Sequence, residues 1–146
     1  MSDKPSTLVK IKRANLYLRR ARFVTYGILI VLLGYYKWRY DLVRLPDGGL
    51  SPLEAFDPGT RLIVDVQTQE FSNGDAVFYR LQDGAWLLGR VQRPPASAPK
   101  AIWDAWEAGA LWIVKERAEC PGDDSLRLGP IAVSDVIGRV CGSVPW

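Results

Sequence analysis

Few side chains in this sequence could do chemistry. It contains no histidine, which removes the commonest general base and the commonest metal ligand. The two cysteines, Cys120 and Cys141, cannot complete a zinc site without nitrogen ligands, and no cofactor is expected. They could instead form a disulfide in an oxidising compartment, tying the Asp123–Asp124 loop to the last strand. Beyond residue 46 the only lysines, and so the only amines available as bases, are Lys100 and Lys115.

The elements that must position these groups begin with an apolar run, Phe23 to Tyr36, bracketed by Arg22 and Lys37. Extended through Tyr40 it reaches about 18 residues, or roughly 27 Å of helix, close to one hydrocarbon thickness. Tyr35, Tyr36, Trp38 and Tyr40 would supply rings for a headgroup boundary, and Lys37 and Arg39 would snorkel outward. The run lacks the polar face of a core helix and the small residues of a signal-peptide cleavage site. A single transmembrane helix over 23–40 is the expectation. Residues 6–22 lack glycine and proline and should continue that helix.

Charge is divided unevenly within a net of +3: residues 1–40 carry nine bases and one acid, and residues 41–146 ten bases and fifteen acids. The basic flank predicts a cytoplasmic N-terminus, an exported C-terminal domain and attraction to membrane lipid. The expected localisation is a bacterial inner membrane, with the domain on the periplasmic side. The acidic remainder gives no support to nucleic-acid binding.

The expected division is a basic tail (1–22), the span (23–40), a linker (41–50) and a β domain (51–146). Within that domain, Arg61–Val66, Ala76–Arg80, Ala85–Val91, Leu111–Lys115 and Ser134–Val140 read as short strands. Asn73-Gly74-Asp75, Asp83-Gly84 and Cys120-Pro121-Gly122 read as breaks between them, and Ile102–Ala108 as a short helical turn. The fold class expected is mainly β, a small barrel or sandwich behind one transmembrane helix. Of the six tryptophans, Trp86 and Trp112 should fill the core. Trp103 and Trp106 could fill it too, or could meet a membrane or a neighbouring subunit.

Four segments together resemble the type I signal peptidases of the S26 serine peptidase family. Ser51-Pro-Leu-Glu-Ala-Phe-Asp-Pro-Gly-Thr-Arg-Leu-Ile-Val-Asp65 is similar to the family's nucleophile segment, Ser-Met-x-Pro-Thr-Leu-x-x-Gly-Asp-x-Val-Leu-Val. Asn73-Gly-Asp-Ala-Val-Phe-Tyr-Arg80 is similar to its Gly-Asp strand, and Leu88-Gly-Arg-Val91 stands where it has Ile-Lys-Arg-Val. Asp124-Ser-Leu-Arg-Leu-Gly-Pro-Ile131 with Val136-Ile-Gly-Arg139 resembles its closing pair of motifs.

The resemblance implies an anchored serine peptidase in which an unprotonated lysine activates the serine. Here Ser51 takes the serine position, but Gly89 takes that of the lysine and cannot accept a proton. Arg90 stays protonated and is a poor base. Pro52, Ala55, Phe56, Gly122 and Glu116-Arg117-Ala118 depart from the family pattern as well. The expectation is a non-catalytic accessory subunit bound to other integral membrane proteins, its inherited groove able to hold an extended peptide segment. The alternatives are a small active signal peptidase, with Ser51 served by Lys100 or Lys115, and a chaperone-like holder of exported tails.

Overall fold

The computed structural model describes residues 7–47, 50–81 and 83–144, without the side chains of residues 7–14. Readings that rest on Asp3, Lys4, Gly48, Gly49 or Trp146 lie outside the described residues. The chain divides into two compact units, residues 1–38 and 39–146.

The first unit is essentially one helix, α1, Thr7–Arg39. Its continuity follows from a proline-free sequence in which Gly27 and Gly34 are the only weak helix formers of their kind. Thr25 donates its hydroxyl back to the Ala21 carbonyl at 2.9 Å, so that hydroxyl is satisfied within the helix.

Among the described residues no helix is long and apolar enough to cross a membrane. The transmembrane helix expected over 23–40 is therefore overturned. The uncharged run stops at Tyr36, and lengthening it takes in Lys37 and Arg39 at one end or Arg22, Arg20 and Arg19 at the other. A span needs about 20 predominantly apolar residues. Arg39, expected to reach for headgroups, is instead hydrogen bonded to the carboxylate of Asp65. The single-pass inner-membrane placement and its orientation lose the span on which they rested.

The second unit is built on six strands: β1 Tyr40–Arg44, β2 Arg61–Asp65, β3 Ala76–Arg80, β4 Trp86–Gln92, β5 Trp112–Val114 and β6 Val136–Val144. All pairings are antiparallel, in the order β1-β2-β6-β3-β4-β5. The expected barrel or sandwich is thus corrected to one six-stranded sheet, accompanied by helices α2 (Lys100–Glu107) and α3 (Ser125–Leu128) and a 3-10 turn at Val133–Asp135. Residues 40–44, read from sequence as span end and linker, form the edge strand β1.

Both faces of the sheet are covered. Ala76 and Phe78 of β3 pack with Leu53, Leu62, Val64 and Leu88. Val77 and Tyr79, alternating with them, pack with Val91, Leu111, Ile113 and Ile131. A strand buried on both faces reads as an unbroken apolar run, as Ala76–Tyr79 does. The sheet also curls. Val43 of β1 and Leu88 of β4 share the first cluster although four strand spacings separate them, ~19 Å in a flat sheet.

Candidate functional site

Ser51 sits in the loop between β1 and β2, and the loop is pinned on both sides of it. Cys120 donates its thiol proton to the Leu50 carbonyl at 3.0 Å. The Pro52 carbonyl accepts from the backbone N–H groups of Glu116 (2.9 Å) and Arg117 (3.2 Å). Glu54 N–H donates to Glu116 Oε2 at 2.7 Å, and Leu53 is fully buried in the first cluster. The segment following β5 thereby holds the Ser51 loop at four points.

Glu116 is held in turn by Arg90 of β4, whose Nε donates to Oε1 at 2.5 Å while another guanidinium nitrogen donates to the Gly74 carbonyl. Burial pushes the Glu116 carboxyl upward, but the Arg90 and Glu54 hydrogen bonds and the charges of Arg90 and Arg117 prevail and hold it below the usual carboxylate range. It therefore stays ionised as a fixed cross-link between β4, the segment after β5 and the Ser51 loop.

Ser51 is 4% exposed, and its Oγ is buried with no hydrogen-bond partner among the described residues. A buried hydroxyl left unpaired costs about 1–3 kcal/mol. Neither candidate lysine reaches it. Lys100 is exposed on α2. Lys115 donates its Nζ to the carbonyls of Cys120 (2.7 Å) and Gly122 (2.6 Å), where the ammonium clamps the loop leading to α3.

Gly89, at the base position of the resemblance, is closed off. A Cβ built there meets Ile113 Cγ2 at 2.5 Å, with Tyr79 Cε1 and the Val114 carbonyl each 3.2 Å away. Those neighbours belong to the second cluster and to β5, and none of them lines the space around Ser51. Along β4, Gly89 shares a face with Val91 of the second cluster, while Leu88 packs beside Leu53; Leu87, on the face of Gly89 but nearer the strand end, still reaches that space.

The space around Ser51 is a cavity of ≈ 380 Å³. One wall comes from β1 and the chain just after it (Val43, Arg44, Leu45), another from Trp86, Leu87 and Leu88 on β4, with Phe78 between them. Cys120 lines it as well. Its surface is mostly apolar, and Arg44 is the only charged residue lining it among the described residues. The curl of the sheet makes the cavity by bringing β1 round toward β4.

The remaining sequence candidates scatter. Trp103 and Trp106 are half-buried on α2, and Trp106 packs on the second cluster. Trp112 is buried as expected, whereas Trp86 is 47% exposed, because it stands at the open end of β4 beside the cavity instead of midway along the strand. Cys120 and Cys141 are both free thiols, the first buried and the second exposed, so the disulfide is absent. Among the described residues no group of three His, Cys, Asp or Glu side chains could hold a metal ion.

Sequence reasoning missed Arg44, Leu45 and Glu116 as parts of the site. The first two lay in a presumed linker. Glu116 meets Glu54 across 62 positions, a distance that no local pattern announces. Compared with protein-family models and with curated proteins, the chain matches none.

Proposed function

We propose that this chain is a non-catalytic binding module on a signal-peptidase-like scaffold, an accessory subunit that holds an extended peptide segment of a partner protein. The observation that carries this reading is the state of Ser51. Ser51 borders an apolar cavity, but its hydroxyl is buried with no base beside it, and the lysine-equivalent Gly89 faces the packed side chains of Ile113 and Tyr79. Losing the base of a serine–base pair removes most of the acceleration such a pair supplies. What remains is recognition: a shaped apolar cavity beside a rigidly held loop.

The test is incubation of the purified chain with a peptide carrying an export signal sequence. Binding without cleavage is expected, with no difference in product between the parent and Ser51→Ala. The same substitution should raise unfolding free energy by about 1 kcal/mol, because it removes a buried hydroxyl that lacks a partner. Cleavage that disappears in Ser51→Ala would overturn the reading and restore a peptidase.

A further inference from the structure

We propose that the cavity captures the C-terminal end of its partner, a peptide tail finishing in a bulky apolar residue whose carboxylate is received by Arg44. The inference rests on the peptide-holding function above and names the kind of segment held. Three observations on one side of the sheet converge on it.

The first is the edge. β1 ends the strand order, so one of its sides is unpaired among the described strands. The Arg39 carbonyl accepts from Val66 N–H and Leu45 N–H donates to the Thr60 carbonyl, which turns odd-numbered residues toward β2. By antiparallel alternation Leu42 and Arg44 turn their main-chain groups to the outer side. The Leu42 N–H is taken by the Asp41 carboxylate at 2.9 Å, which blunts the edge there. Of these outward positions Arg44 is the one that lines the cavity.

The second is the space. A volume of ≈ 380 Å³ with mostly apolar walls falls at the small end of ligand pockets, which run about 300–1,000 Å³. It suits one large side chain with its own main chain better than a long segment. Ser51 belongs to the wall, but its Oγ is closed off from the cavity, so the fit is one of shape and apolar surface.

The third is the charge. Arg44 lines the cavity with a side chain 58% exposed, and its one hydrogen bond among the described residues goes to Asp47, at 2.7 Å. A guanidinium has five N–H donors, so several remain for a carboxylate. Among the described residues no acidic side chain lines the cavity; Asp47, itself well exposed, is the carboxylate that an incoming one would share Arg44 with or displace. An apolar side chain directly beside a carboxylate is the chemistry of a chain terminus.

The experiment measures binding of fluorescein-labelled short peptides to the full chain by anisotropy. The peptides end in leucine as the free acid, in leucine as the amide, or in serine as the free acid, and decanoate serves as competitor. The leucine acid should bind about tenfold more tightly than the amide, the worth of one charge-assisted contact. Arg44→Gln should lower it to the level of the amide, and the serine acid should bind weakest.

Equal binding of acid and amide would overturn carboxylate capture while leaving the peptide-holding function standing. Binding by none of the peptides would overturn both. Decanoate matching the leucine acid in affinity would overturn a peptide tail as the occupant. Arg44 is exposed, so its glutamine variant folds, and thermal unfolding of the variant confirms that.

Discussion

Ile113 occupies the space into which a side chain on residue 89 would grow, its Cγ2 lying 2.5 Å from the Cβ that Gly89 lacks. The packing of β4 against β5 depends on that bare position, because Val114 also brings its carbonyl within 3.2 Å. The missing side chain at residue 89 is what permits this close approach between strands.

Gly89→Ala should therefore destabilise the domain by about 2 kcal/mol, the usual range for overpacking a well-filled core. Ile113→Ala opens the space, so the two substitutions should not add. A double-mutant cycle by urea unfolding should return a coupling of about 1 kcal/mol in the rescuing direction. Additive effects would mean that β4 shifts away from β5 instead. Gly89→Lys should unfold the domain before it restores any base.

Asp65 and Arg39 give a pH signature. Asp65 is 1% exposed, with Oδ2 accepting from Arg39 at 2.9 Å and Oδ1 from the Gln67 N–H at 3.1 Å. Burial raises its carboxyl pKa, but the hydrogen bonds from Arg39 and Gln67 and the charges of Arg39 and Arg139 prevail and hold it below 3.8. A depressed carboxyl contributes stability that is complete above the unfolded value and disappears as pH falls through the folded one. Arg39→Gln leaves a buried carboxylate without its cation and should cost about 3 kcal/mol at neutral pH. Urea unfolding at pH 7 and at pH 3 should show that penalty shrinking at the lower pH. A penalty independent of pH would assign Arg39 a packing role only.

The two thiols should behave differently. Cys141 is exposed, while Cys120 is 3% exposed and bonded to the Leu50 carbonyl. A thiol reagent should label one site quickly in the native chain and the second only after denaturant is added. Peptide mapping should find the fast label on Cys141. Two slow sites, or none until a reductant is added, would contradict the free-thiol arrangement. Occupancy of the cavity by a peptide should slow labelling of Cys120 further.

The strands legible in the sequence were those marked by short apolar runs between turn residues. Arg61–Asp65 and Ala76–Arg80 are found where β-branched and aromatic side chains placed them. β1 was not legible, because Tyr40–Arg44 follows the apolar run directly and takes its strand form from pairing with β2, whose partners lie 17 to 25 residues on. The same pairing spoiled the span, since Arg39 is drawn to Asp65 at the end of β2. Ser51 was reachable through the resemblance, but its cavity was not. The walls come from β1, β3 and β4, and only the curl of the sheet brings them to one place.

The strand order has a consequence for how the chain comes off the ribosome. β6 lies between β2 and β3, so the strand made after all the others is the one that joins them. Until Val136–Val144 emerges, β1-β2 and β3-β4-β5 are two separate ribbons with raw edges facing each other across a gap. Whatever shields those edges in the interval, a chaperone or the ribosome tunnel itself, governs how much of the nascent product reaches its native state.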